Sequence, residues 1–336
     1  MNESANYKNV LKNFNEETVR KLLLENGAMT QTDLAKLSCL SFPTVSKITS
    51  ALEEKGQILI SGYDSSNVGR KSMVYQLNAD YSQALLIYFD QKEFHVYVTN
   101  VLQKVIKNEL VFLKNDNYIR TIDGIVDQKL NEFPRIQYLV IGVPGAVNEG
   151  VIIHIPEYPQ LKNFNLKQYY EEKYQLKVEI GNDMNIAALG HYIQNFSDEL
   201  SISTCIRVTD KGLIGLGIIA NGSILKGHSG FIGEVYCMRF DKEKGYPISP
   251  KEELPKLTNP QMLEILEHLV VDLCVLINPK YIVFYENKYT VSNYYALKRK
   301  LSDYLPESAI PTISVSDRFE EDYQRGLAAL SETDSI

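Results

Sequence analysis

Tryptophan is absent from the 336 residues, so any optical titration of this chain rests on its 22 tyrosines. Cysteine is scarce. Cys39, Cys205, Cys237 and Cys274 stand far apart with no paired spacing, which argues against a zinc cluster and a disulfide framework and predicts four small buried hydrophobes. The histidines, His95, His154, His191, His228 and His268, show no ligand spacing either, so no metal is expected. No apolar run approaches membrane-spanning length, and Met1-Asn2-Glu3-Ser4 lacks the basic-then-apolar pattern of a secretory signal. These absences predict a cytoplasmic chain with no membrane contact. An excess of basic charge is missing as well. Residues 1–80 hold nine Lys/Arg against nine Asp/Glu, and the net charge of −7 lies in the remainder. Any nucleic-acid contact therefore depends on a few placed cations and on two copies acting together, because there is no broad positive field.

What is present begins with a winged helix-turn-helix pattern over Thr30–Leu77. A helix over Gln31–Leu37 opens at Thr30, with Asp33 placed to reach back to an unpaired amide. A turn follows at Ser38-Cys39-Leu40. The second helix opens with Ser41 as N-cap and Pro43 in its first turn, and turns Val45, Ile48 and Leu52 inward. Thr44, Ser46, Lys47 and Ser50 then face outward, and with Ser41 they are the candidate DNA contacts, because small hydroxyls let a helix approach base edges. Ile58–Ile60 and Met73–Leu77 read as wing strands around a polar loop whose Arg70 and Lys71 are suited to phosphates or a minor groove. Upstream, Asn15 reads as the cap of a helix that turns Val19, Leu22 and Leu23 inward and stops at Gly27. The alternative is a helical hairpin that only packs or dimerises.

From about Ala84 strands alternate with helices, which predicts an α/β domain with ligands at the strand ends. Strands are expected at Ala84–Phe89, Phe94–Val101, Tyr138–Gly142, Leu176–Ile180, Cys205–Val208, Leu216–Ile219 and Tyr281–Tyr285. Helices are expected at Tyr118–Glu132, Ile186–His191 and Pro260–Ile277. Asn221-Gly222 marks a turn, and Arg239–Pro260 an irregular stretch.

Three segments come in a telling order: Gly142-Val143-Pro144-Gly145, then Gly181-Asn182-Asp183-Met184-Asn185, then Gly227-His228-Ser229-Gly230-Phe231-Ile232-Gly233-Glu234. Together with Leu40-Ser41-x-x-Thr44-Val45-Ser46 and Gly69-Arg70-Lys71 in front, they resemble the ROK family of sugar kinases and sugar-responsive repressors, in its xylose and N-acetylglucosamine repressor branch. The resemblance runs from about Asn9 to Leu330. It implies an N-terminal winged helix-turn-helix, residues 1–80, followed by an actin-like ATPase (ribonuclease H-like) two-lobed α/β domain, residues 81–336. The lobes would lie at about 81–190 and 190–316, with a C-terminal helix over 317–330.

The departures from the family pattern bear on chemistry. The kinases' glycine phosphate loop is replaced by Asp90-Gln91-Lys92-Glu93-Phe94, their second glycine segment reads Lys211-Gly212-Leu213-Ile214-Gly215, and Tyr285-Glu286-Asn287 stands at their Gly-Gly pair near adenosine. Cys237 occupies the position of a zinc-binding histidine, and residues 239–260 contain neither cysteine nor histidine. A non-enzyme without cofactors is therefore expected. The resemblance leaves Gly145, Asn182, Asp183 and Glu234 as sugar-site candidates. The other reading has Asn182 and Asp183 capping a helix and Glu234 in a local salt bridge. The expected function is a DNA-binding regulator of carbohydrate-related genes, acting on a double-stranded operator as a homodimer or homotetramer, with a sugar or sugar-phosphate effector. The alternatives are a sugar kinase with a DNA-binding head and a regulator answering to a protein partner.

Overall fold

The computed structural model describes residues 3–64, 72–90, 92–113, 117–155, 158–197, 200–209, 212–238 and 258–331. The first helix, α1 (Glu3–Asn26), is 24 residues long. Asn15 lies inside it and does not cap it. No proline or glycine interrupts Glu3–Phe14, and extending a helix costs far less than nucleating one. The expected stop at Gly27 is present, in the left-handed region at φ +74°.

A short strand not anticipated from sequence, β1 (Met29–Thr30), precedes α2 (Gln31–Ser38). Thr30 caps α2 by accepting the Asp33 N–H. The Asp33 carboxylate accepts the Thr30 hydroxyl at 2.7 Å and does not reach back to an amide. Helix α3 (Phe42–Glu54) opens at Ser41 as expected and buries Val45, Ile48, Thr49 and Leu52. The wing strands β2 (Ile58–Asp64) and β3 (Ser72–Leu77) pair antiparallel, and β1 lies on the far side of β3. Val19, Leu23, Leu34, Val45, Leu52 and Ile58 form the core of this head. Gln31 ties it together by donating to the Thr49 hydroxyl at 2.7 Å and to Tyr75 at 3.3 Å.

The first large sheet comprises β4 (Gln83–Asp90), β5 (Glu93–Asn100), β6 (Val105–Phe112), β7 (Ile136–Val143) and, after the small hairpin of β8 (Ala146–Asn148) and β9 (Val151–His154), β10 (Lys177–Asn182). Its order is β10-β7-β4-β5-β6. Helices α4 (Tyr118–Glu132) and α5 (Leu166–Tyr174) cover its outer face. The second sheet has the order β13-β12-β11-β14-β15, built from β11 (Ile202–Val208), β12 (Ile214–Ala220), β13 (Ser223–Ile224), β14 (Tyr281–Tyr285) and β15 (Thr312–Ser316). Helices α7 (Asn259–Leu276) and α8 (Lys288–Leu301) pack on its outer face. Between the sheets lie α6 (Asp183–Asn195) and α9 (Phe319–Leu330), with Met184, Ile186, Tyr323 and Leu327 in the shared core. Two sheets with two helices sandwiched between them behind a winged head give the expected fold class, an actin-like two-lobed domain. Of the elements missed from sequence, α5, β6, α8 and β15 are polar or alternate weakly, while β8, β9 and β13 are only two to four residues long. The stretch 239–257, expected to be irregular, lies outside the described residues.

Helices α6 and α9 touch backbone to backbone. A Cβ on Gly190 would land on the Asp322 carbonyl, and one on Gly326 on the Ile186 carbonyl, far inside van der Waals contact. The head is seated on the first lobe. Asn78 donates to the Gly56 carbonyl at 2.8 Å, Arg135 to the Asp80 carbonyl at 2.8 Å and Gln57 to the Tyr81 hydroxyl at 3.3 Å, while Val101 packs against the head core. Among the described residues no helix is long and apolar enough to cross a membrane.

Candidate DNA-reading helix and effector cleft

Helix α3 presents its candidate residues unevenly. Ser41, Lys47 and Ser50 are exposed, while Thr44 and Ser46 are half-buried. The hydroxyls of Ser41 and Thr44 lie 2.8 Å apart, and Ser41 Oγ also accepts the Thr44 N–H, so both are held in place before any ligand arrives. Lys47 enters no ion pair among the described residues, which leaves its charge available. Phe42, not anticipated from sequence, is exposed at the start of the helix, where an apolar ring can meet a thymine methyl. Arg70 and Lys71, the wing candidates, lie outside the described residues.

Gly145, Asn182, Asp183 and Glu234 converge at the carboxyl ends of β7 and β10. Gly145 admits no side chain, since a Cβ there would strike the His154 carbonyl. Asn182 donates from Nδ2 to the Gly145 carbonyl at 3.1 Å and accepts the Asn185 N–H at 2.9 Å, so it caps α6 and joins the two strand ends. Asp183 stands in the first turn of α6 and accepts the Met184 N–H at 2.8 Å. Glu234 follows Gly233, whose φ of +97° and close approach to the Leu216 carbonyl both require glycine. Burial first, and then the negative charge of Asp183, push Glu234 up to about 7. Glu234 forms no salt bridge among the described residues. Two residues outside the sequence reading adjoin this site. His154, its imidazole pushed below its ordinary range by burial and then by Lys162, lies edge-on to Phe231, with ring centroids 5.9 Å apart. The only sequence signal for Phe231 is its place inside the segment that ends at Glu234.

The nucleotide side is filled from within. Tyr285 is 1% exposed, and the single proton of its hydroxyl is shared between Asp322 at 3.1 Å and the Ala187 carbonyl at 3.3 Å. Asn287 donates to the Val208 carbonyl while capping α8, and so bridges the ends of β11 and β14. Leu213 N–H is taken by Thr209. These residues do not fit an adenine nucleotide held on bare backbone. They do not fit zinc either. Cys237 is exposed, no group of three or more ligating side chains exists among the described residues, and residues 239–257 supply no cysteine or histidine. Only Cys205 and Cys274 are buried as expected. Cys39 sits with φ 57° in the exposed turn between α2 and α3, so it and Cys237 are not core residues.

Residues 112–246 match the model of the ROK family, and residues 21–59 that of the MarR family. The chain is 28% identical over 236 residues to a xylose repressor of Caldicellulosiruptor bescii, covering 67% of this chain and 58% of that protein. It is 24% identical over 234 residues to the DNA-binding transcriptional dual regulator NagC of Escherichia coli, covering 67% and 57%. The chain thus spans somewhat under three-fifths of the length of these curated relatives. A solved ROK family transcriptional regulator, described as a homolog of the E. coli MLC protein, superposes with a TM-score of 0.74 at 17% identity, over 97% of this chain and all of that one. A MarR-type segment thus lies in the head and a ROK-type segment runs from the first lobe into the second, in the order found in this solved ROK regulator.

Proposed function

We propose that this chain is a DNA-binding transcriptional regulator of carbohydrate-related genes, with a head over residues 1–80 and an effector-binding body over 81–336. The observation that carries the reading is α3, whose exposed Ser41, Lys47 and Ser50 sit on a rigid winged head. Its relatives are named as a xylose repressor and a DNA-binding transcriptional dual regulator. In this reading the protein works in the cytoplasm as a homodimer or homotetramer on a double-stranded operator, with Arg70 and Lys71 gripping phosphates. Lys47→Ala is expected to weaken binding to the operator by about 1–3 kcal/mol more than to random DNA, read in gel-shift titrations. An equal loss on both would remove α3 from the reading role.

The body takes a sugar or sugar phosphate against Asp183 and Glu234, and closure of the lobes alters the disposition of the heads. A tenfold change in operator affinity requires about 1.4 kcal/mol of differential binding between the two states. Asp183→Asn keeps the shape and removes one charge-assisted hydrogen bond, and so is expected to weaken sugar binding by about 1.5–3 kcal/mol in calorimetry. The same variant has a second readout. Glu234 is raised well above the ordinary carboxylate range, so its contribution to stability is full below about pH 4 and is lost as pH rises through about 7. Removing the Asp183 charge lowers that upper limit, and the loss of stability between pH 5 and 8 should shrink. An unchanged pH profile together with unchanged sugar affinity would favour control by a protein partner. That second reading draws support from Asn182, whose amide is already spent on Gly145.

Phosphoryl transfer is not part of this function. With Tyr285 and Asn287 occupying the nucleotide side, ATP is expected neither to bind nor to be hydrolysed, with or without sugars, in a coupled ATPase assay and in calorimetry. Saturable ATP binding would restore the kinase reading.

A further inference from the structure

Strand β6 is one of the two edges of the first sheet, β10 being the other: β5 pairs with one side of β6, and no described strand lies on its far side. It reads Val105-Ile106-Lys107-Asn108-Glu109-Leu110-Val111-Phe112, and Ile106, Leu110 and Phe112 are 46%, 45% and 56% exposed. A long apolar edge is a template for another strand, and soluble proteins usually blunt such edges. This one carries a pattern that selects its partner. Turned antiparallel upon itself about Asn108, the strand is self-complementary. Asn108 meets its own copy, Lys107 meets Glu109 of the second copy and the reverse, Ile106 meets Leu110, and Val105 meets Val111. A centre one residue earlier sets Lys107 against Lys107, and one residue later sets Glu109 against Glu109. In-register parallel pairing makes both clashes at once. Opposite charges and apolar pairs facing each other across strands are the units that stabilise a sheet, and like charges there destabilise it.

Glu109 is able to take part because only its Oε2 is engaged, by the buried Lys129 on α4, which leaves Oε1 for Lys107 of the second copy. The register of β6 against β5 shifts between Val98 and Thr99, which makes Ile106 a bulge. The bulge bends the strand at the outer end of the new ladder, so that Ile106 opposite Leu110 is its last full pair on each side of Asn108. Because each copy spends its β6 edge on the β6 edge of the other, this contact closes at two with twofold symmetry and does not propagate.

We propose that β6 pairs antiparallel with β6 of a second copy about Asn108, joining two five-stranded sheets into one continuous sheet. This does not depend on the effector cleft or on DNA. The test uses the full chain with the exposed thiols removed by Cys39→Ser and Cys237→Ser. In that background Asn108→Cys is expected to form a covalent dimer under copper–phenanthroline oxidation, seen on a non-reducing gel. Directly opposed Cα atoms of an antiparallel pair lie about 4.5–5.5 Å apart, within disulfide reach. Ile106→Cys and Leu110→Cys should each fail to cross-link alone and should cross-link when the two proteins are mixed. Lys107→Glu, at an exposed position, should weaken the dimer at least tenfold in sedimentation equilibrium. A monomeric parent protein at tens of micromolar would overturn the proposal. So would a dimer in which Asn108→Cys stays uncrosslinked, or equal cross-linking at all three positions.

Discussion

Gly190→Ala is expected to lower the free energy of unfolding by roughly 2–3 kcal/mol, as the net of two opposed effects. Alanine is the better helix former by about 1 kcal/mol. Its methyl group, however, would be driven into the Asp322 carbonyl and the Gly326 amide, which are backbone atoms that yield only if α6 and α9 separate. Overpacking of this kind costs about 1–3 kcal/mol and at times more; here the obstacle is the backbone of a whole helix, which puts the clash at roughly 3–4 kcal/mol, so the clash wins. Gly124→Ala is the control. Gly124 is also helical, in α4, but is exposed with nothing near its missing Cβ, so the same change there should stabilise by up to about 1 kcal/mol. Urea denaturation of the two variants should therefore move in opposite directions. Movement in the same direction would mean that the α6–α9 contact is looser than described. Because Asp183 opens α6, the Gly190 variant should also bind sugar more weakly than its residual stability alone would predict.

Asp322→Asn should be as damaging, by about 3 kcal/mol or more. Asp322 is 1% exposed. Its Oδ2 pairs with His191 Nδ1 at 2.7 Å and accepts the Tyr285 hydroxyl at 3.1 Å, and its Oδ1 accepts from Arg325 at 3.0 Å. Three donors converge on one carboxylate. An amide of the same shape removes the charge and points two hydrogens at groups that already donate, and breaking a buried pair on one side costs about 3–5 kcal/mol. Arg325 is partly exposed, so Arg325→Gln should cost clearly less. Chemical denaturation that ranks the two the other way would show that the network is organised around the arginine. The same network fixes Tyr285 at the end of β14, between α6 and α9.

The head and the central strands were legible in the sequence because their signals are local. Ser41 caps α3 and Gly27 ends α1 through rules that act within one turn, and residues 138–143 of β7 and Tyr281–Tyr285 of β14 are continuous apolar runs. Strand β6 was not legible. Six of its eight residues are exposed, and an edge strand with Lys107, Asn108 and Glu109 at its centre looks like a loop until β5 is seen beside it. Helix α5 was hidden in the same way, its Leu166 and Tyr170 buried within a polar run. At the cleft, the residue types were visible but their occupation was not. That Asn182 spends its amide on Gly145, that Glu234 is pressed by Asp183, and that Phe231 meets His154 all depend on contacts between segments distant in the chain.

The seating of the head on the first lobe decides which contacts between copies can carry a signal. Asn78, Asp80 and Val101 fasten the head at the starting ends of β4 and β7, whereas Gly145 and Asn182 sit at the finishing ends of β7 and β10, roughly 25 Å away along eight-residue strands. Head and first lobe are therefore joined as one body, and under the proposed switch a sugar that swings the second lobe would leave the head's own frame unmoved. Two copies joined through their first lobes, as by β6, keep their heads at a fixed separation whatever the cleft holds. Two copies joined through their second lobes change that separation with every closure. An assembly using both contacts would own one rigid rung and one adjustable rung, and only DNA sites spanning the adjustable rung would feel the sugar.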